Sequence, residues 1–148
     1  PIQMQCAAVE PNAVCCTATT SAWSGGGDRW PFAVAFLRAM RKKSLRLDSG
    51  CYMAVIKACG NGQKWELALG MLPDMEMHHT SPDTISFNAA LDACEAGLQW
   101  TRALDLLGEM WRSRVEADML SFRAAIRACV ICDEWPAVLA MLRAMQSW

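Results

Sequence analysis

Apolar positions recur along this chain with the period of an α-helix, and the stripes come in pairs. Between Thr84 and Asp118, the residues Phe87, Ala90, Leu91 and Cys94 fall at i, i+3, i+4 and i+7, one stripe of a helix. Gly97 is expected to stop that helix, with Leu98-Gln99 as a short turn. Trp100, Ala103, Leu104, Leu107 and Met110 then draw a second stripe of the same period. The polar run Ser113-Arg114-Val115-Glu116-Ala117-Asp118 leads into the next helix. The predicted unit is therefore helix, tight turn, helix, linker.

That unit repeats. Trp30, Trp65, Trp100 and Trp135 are separated by 35 residues each time, and so are Met40, Met75, Met110 and Met145. Leu37, Leu72, Leu107 and Leu142 keep the same register, as do Ala58-Cys59, Ala93-Cys94 and Ala128-Cys129. Four parallel series in one register define a repeat array. In the second unit Tyr52, Val55, Ile56 and Cys59 form the first stripe and Gly60-Asn61-Gly62 the expected turn. Pro82-Asp83 precedes the next helix, where the aspartate suits an N-cap or the first turn. Pro31 and Pro136 follow a tryptophan at the first helical turn, where a missing N–H is harmless. Pro73 falls mid-helix and is expected to kink that helix or shift its start, at about 3 kcal/mol if uncompensated.

The first unit is degenerate. Ala13 to Ala22 is the candidate first helix, yet Cys15, Cys16, Thr17, Thr19 and Thr20 are poor helix formers. Ser24-Gly25-Gly26-Gly27 makes a turn one residue longer than the others, and residues 1–11 show no periodicity and are expected to fray. The array then divides into a degenerate repeat over 12–48, repeats over 49–83 and 84–118, and a truncated repeat over 119–148. A single helix pair cannot bury its apolar face, so neighbours must stack. The expected fold is all-α: an α-solenoid of 35-residue helix-turn-helix repeats, a short right-handed superhelix whose first helices line a concave face.

Composition supports this and removes other readings. At 148 residues and 16.3 kDa the chain has room for one domain, two at most. A hydrophobic share of 53% with 20% charged residues excludes a disordered tail. Apolar runs are broken well short of the roughly 18 residues of a membrane span. The chain starts at Pro1 without an Arg-rich presequence, the expectation for a fragment or processed product. Seven Trp, ten Met and eight Cys look like a site inventory until the register assigns most of them to core packing multiplied by copy number, with Trp111 and Trp148 off register. Cys129-Val130-Ile131-Cys132 invites a zinc or redox reading, but Cys129 already holds the small core position of Cys59 and Cys94. The eight Cys suit reduced thiols better than a disulfide scaffold.

His78-His79 point apart and read as a solvated connector, as does the basic stretch 41–46. Asp133-Glu134 reads as favourable charge at a helix N-terminus. Gly25-Gly26-Gly27 lacks the Lys-Ser/Thr of a phosphate loop, and no acid–base or nucleophilic constellation is present. The sequence thus points to a binding array with no catalytic residues, metal, cofactor, small-molecule substrate or membrane partner.

The stretch Ser81-Pro82-Asp83-Thr84-Ile85-Ser86-Phe87-Asn88-Ala89-Ala90-Leu91, with Ala93-Cys94-Glu95-Ala96-Gly97-Leu98-Gln99-Trp100-Thr101-Arg102-Ala103-Leu104, resembles the pentatricopeptide repeat family, especially its Trp-containing algal and protist members. The resemblance covers about residues 12 to 145 and is strongest from 49 onward. Tetratricopeptide repeats differ, with a period of 34 and their Trp, Gly and Tyr elsewhere. The resemblance implies sequence-specific binding of single-stranded RNA at one base per repeat, in organellar RNA processing, stabilisation or translation in a chloroplast or mitochondrion. It implies base-reading pairs Thr17 with Asp48, Met53 with Asp83 and Asn88 with Asp118, and Arg123 from a last unit. Thr17-Asp48 is similar to guanine readers and Asn88-Asp118 to pairs that prefer uracil, while Met53 and Arg123 depart from the pattern. Lys57 and Arg127 are candidate phosphate contacts, as Arg123 is.

Charge weighs the other way. The net charge is −1, and residues 49–148 hold eight Lys/Arg against twelve Asp/Glu, so there is no general positive field. Asp92 and Glu95 fall on the presumed concave face. The alternative is an α-solenoid scaffold that takes a peptide or protein partner in its groove.

Overall fold

The computed structural model describes residues 22, 28–44 and 47–147. The segment expected to fray over 1–11, the 13–22 helix apart from Ala22, the Ser24 to Gly27 turn, residues 45–46 of the basic connector, and Trp148 lie outside the described residues. Seven helices and no strand occur among the described residues: α1 (Trp30–Lys42), α2 (Ser49–Asn61), α3 (Trp65–Met77), α4 (Thr84–Ala96), α5 (Trp100–Arg112), α6 (Met119–Ile131) and α7 (Trp135–Gln146).

First and second helices begin differently. Each first helix opens on an aspartate whose carboxylate accepts a backbone N–H three residues on: Asp48 from Cys51 at 3.0 Å, Asp83 from Ser86 at 2.9 Å, and Asp118 from Ser121 at 3.0 Å. The second helices open on Trp30, Trp65, Trp100 and Trp135 with no side-chain cap. Glu134 accordingly contributes charge but no capping hydrogen bond, and Asp133 accepts the Trp135 indole N–H at 2.7 Å.

Helix ends keep the same register. Gln63, Leu98 and Asp133 close the first helices and Ser44, His79 and Arg114 close α1, α3 and α5, all in the left-handed region with φ between 54° and 62°. The following N–H reaches back around the end, from Gln99 to the Cys94 carbonyl at 2.9 Å for instance, and satisfies a terminal carbonyl. Gly97 ends α4 as expected; it sits at φ −86° and Leu98 takes the left-handed position. Its glycine is needed for space, because a Cβ there would lie 2.4 Å from Cδ1 of Trp65. Pro73 leaves α3 starting at Trp65, in register with its neighbours. Its ring is exposed.

The helices pack as an α-solenoid of 35-residue repeats wound into a short right-handed superhelix. The first helices α2, α4 and α6 pack on one another in a row, and α3 and α5 each wedge against the two first helices beside them. The backbones of neighbouring second helices stay apart, and Arg41 and Asp74 reach across from α1 to α3 as a 2.7 Å ion pair. Arg41 is thus half-buried and partnered, unlike the solvated Lys42 and Lys43 beside it. Burial would lower its pKa, but Asp74 and the neighbouring Tyr52 oxygen raise it overall, so the guanidinium stays charged.

Tyr52, Ile56, Phe87, Leu91, Met75 and Met110 fill the core. Full burial of each such side chain contributes roughly 1.5–3 kcal/mol. The tryptophan series is less buried than its register suggests. Trp30, Trp65 and Trp100 lie half-buried at the edges of the seams between units, and Trp135 is exposed. The reason is their position at the turn: Trp65 packs over Gly97 of the following unit rather than inside its own pair.

Candidate functional site

The row of first helices presents two sets of side chains one helical turn apart. Met53, Asn88 and Arg123 occupy the fifth position of α2, α4 and α6, and Lys57, Asp92 and Arg127 the ninth. Asp118, which caps α6, lies beside Asn88 at the fifth position of α4, where the two first helices pack directly.

Asn88 and Asp118 meet. The Asn88 amide donates to the Asp118 carboxylate at 3.1 Å, and its oxygen accepts from the Ser121 hydroxyl. Ser121 is buried; its backbone N–H and hydroxyl lie 3.0 Å from the same Asp118 oxygen, and its oxygen accepts the Asp118 N–H at 3.2 Å. The two residues form a reciprocal capping box. Slight burial alone would raise the Asp118 carboxyl. The hydrogen bonds from Ser121, Asn88 and Leu120 outweigh it and hold the carboxyl below its ordinary value. Beyond these bonds the Asn88 amide retains one further N–H and one further oxygen lone pair. Ser121 is the residue that motif reading missed, although the spacings Asp83-x-x-Ser86 and Asp118-x-x-Ser121 signal it.

The other expected pairs are different. Asp48 caps α2, and its expected partner Thr17 lies outside the described residues. Met53 is half-buried and packs against the core, with no donor to offer Asp83. The Asp83 carboxylate accepts both the N–H and the hydroxyl of Ser86, at 2.9 and 2.7 Å. Arg123 is exposed on α6.

Electrostatics along the ninth positions is mixed. Lys57 is exposed on α2, whereas Arg127 holds Glu95 at 3.1 Å across the α4–α6 seam. Asp92 borders, with Lys57 and Asn61, a cleft of about 260 Å³ between α2 and α4. Partial loss of solvent around it raises its carboxyl above the ordinary value, although Arg123, Lys57 and Arg127 pull it back.

Cys59, Cys94 and Cys129 are buried in register, and burial pushes the first two thiols up to about 11 and about 12. Cys129 is raised by burial too, with smaller contributions from Cys132 and Glu134. Cys132 directs its sulfur at the Leu98 carbonyl at 3.3 Å. His78 and His79 are exposed at the end of α3, with His78 Nδ1 at 2.8 Å from the Asp74 carbonyl. Among the described residues no group of three or more His, Cys, Asp or Glu is arranged to hold a metal, and no helix is long and apolar enough to cross a membrane.

Comparison with known proteins adds the following. A family model described as pentatricopeptide repeat domain matches residues 35–96, and one described as PPR repeat matches 85–115. Together they run over more than half of the 148 residues. Similar solved structures include the pentatricopeptide repeat protein PPR10 in complex with an 18-nt psaJ RNA element, at TM-score 0.80 and 12% identity over 98% of this chain and 21% of that one. PPR10 from maize matches at TM-score 0.76 and 21% identity, over 98% of this chain and 20% of that one. The PPR domain of Arabidopsis thaliana protein-only RNase P 1, in complex with tRNA, matches at TM-score 0.80 and 12% identity over 98% of this chain and 76% of that one. At these identities the likeness shows the fold. The chain spans about a fifth of the length of the PPR10 chains. No curated protein sequence matches it.

Proposed function

The chain belongs to the pentatricopeptide repeat family, and on that premise we propose that it binds single-stranded RNA sequence-specifically, one base per repeat, in organellar RNA processing, stabilisation or translation. The observation that carries this reading is the Asn88–Asp118 pair. It joins the fifth position of one first helix to the cap of the next and leaves Asn88 one further N–H and one further oxygen lone pair. Such an edge complements a uracil, which offers one donor and flanking acceptors when unpaired. Asp118 holds the amide in place. In the same scheme Asp48 works with Thr17, Asp83 with Met53, and Arg123 reads or holds the last nucleotide.

Lys57 and Arg127 serve phosphates, and Arg127 gives up its bond to Glu95 in doing so. A single-strand contact contributes about 0.7 to the slope of log affinity against log salt. Two such contacts give a slope of roughly −1.4, well below that of a strongly basic binder. Binding is correspondingly weak and base-dependent.

The exposed Asp92 and the half-buried Met53 favour the second reading, a scaffold whose groove takes a peptide or protein partner. Titration of fluorescent single-stranded RNA pools at several salt concentrations separates the two. Salt-weakened binding that Lys57→Ala reduces supports RNA; binding absent at every salt concentration overturns it and leaves the scaffold.

A further inference from the structure

Two connectors that read as solvated in the sequence meet at one cleft. It measures about 780 Å³ and is bordered by Arg41, Ser44 and Asp48 from the first connector and by His78 and His79 from the second. Tyr52 lines it from within the core. That residue is fully buried, and neither its hydroxyl nor the Nε of Arg41 has a hydrogen-bond partner among the described residues. Leaving such groups unpaired in the interior is costly. The guanidinium lies over the Tyr52 ring, 5.9 Å from its centre, and commits Nη2 to Asp74.

These donors are not a product of the repeat. One unit on, the corresponding cleft of about 480 Å³ has Glu76 where Arg41 stands, and the register of Tyr52 holds Phe87 and then Phe122. Exposed Lys42 and Lys43 follow Arg41 and make the first cleft the more basic. Against them stand Asp74, already engaged by Arg41, and Asp48, whose carboxylate accepts the Cys51 N–H. Tyr52 and Arg41 thus offer donors, which are matched by a ligand that brings acceptors and negative charge.

We propose that this cleft binds a phosphomonoester, whose phosphoryl oxygens accept from Arg41 and Tyr52 and whose organic part lies between the two connectors. Arg41 then forks between the ligand and Asp74, and the histidines add donors at the rim. The volume falls within the range of small-ligand clefts. A free nucleoside monophosphate and the 5′-phosphate of a nucleic-acid strand share this chemistry. The site stands apart from Asn88 and Asp118, so Asn88→Ser leaves it intact.

The test titrates the full chain at fixed salt with adenosine monophosphate, with adenosine, and with one oligonucleotide in 5′-phosphorylated and 5′-hydroxyl forms. Calorimetry and thermal unfolding read the outcome. Adenosine monophosphate is expected to bind and to raise the unfolding midpoint, and adenosine to do neither. Tyr52→Phe should unfold no lower than the original chain without ligand, since phenylalanine fills that register in the other units, yet bind about tenfold more weakly. A preference for the 5′-phosphorylated strand that Tyr52→Phe removes identifies a strand end as the ligand. No such preference, with mononucleotide binding still dependent on Tyr52, identifies a free nucleotide. The proposal is overturned if neither phosphorylated ligand binds, if adenosine matches its monophosphate, or if Tyr52→Phe binds as well as the original chain. A lower midpoint for ligand-free Tyr52→Phe also overturns it, because the hydroxyl would then serve the fold itself.

Discussion

At the seam between α2 and α4 a glycine meets an alanine; one unit on, between α4 and α6, a glutamate meets an arginine. Gly60 and Glu95 hold the same register, yet the first seam closes by backbone approach and the second by polar contacts. Ile56 and Leu91 are buried alike, so the apolar centre is common to both. The difference lies at the ends of the stripe. The α4–α6 seam adds the Thr84, Asn88 and Glu95 contacts, which salt and pH can reach and which leave hydrogen-bonding capacity at the surface. One repeat geometry thus accommodates a steric seam and a polar one, and the polar one carries the Asn88–Asp118 pair proposed to read a base.

The largest effects should come from what the seams share. Ile56→Ala and Leu91→Ala should each lose about 2–5 kcal/mol in urea unfolding. A much smaller loss for Leu91 would mean that the second seam relies on its polar contacts. Next come the glycines. Gly97→Ala drives a methyl into the base of the Trp65 side chain and should lose about 1–3 kcal/mol. Gly70→Ala meets nothing within 4 Å inside α3 and should gain up to about 1 kcal/mol.

Caps follow. Asp83→Ala and Asp118→Ala should each lose about 0.5–2 kcal/mol, and Asp118 should lose more because it also accepts from the Asn88 amide. The Asp118 carboxyl sits below its unfolded value, so its contribution is complete above the ordinary carboxylate pKa and disappears as pH falls through the folded value. Asp118→Asn should therefore flatten the acid limb of a stability–pH profile. Smallest is Arg127→Ala, below about 1 kcal/mol because the pair is solvent-exposed on the arginine side, and it should vanish in high salt.

Much of this was legible in the residues. The 35-residue register of Trp, Leu, Met and Ala-Cys places all seven helices, and the aspartate before each first stripe marks its cap. The end of α4 at Gly97 was legible, but the reason for a glycine there was not, because turn chemistry usually asks glycine for backbone freedom. Here Leu98 takes that conformation, and the glycine answers to an indole 32 positions earlier in the chain, which no local pattern carries. Arg41 and Arg127 looked free for the same reason: their partners Asp74 and Glu95 lie about one unit away. The Asn88–Asp118 contact was legible only through the resemblance, since a spacing of 30 residues becomes contact only when the units stack.

The central claim is that Asn88, held by Asp118, reads one base. The direct measurement is selection of binders from a randomised single-stranded RNA pool by the chain and by its Asn88→Ser variant. The account predicts salt-sensitive binding by both, with the base preference changed at one position and preserved at its neighbours. An unchanged preference at every position, or binding without preference by the unsubstituted chain, contradicts it.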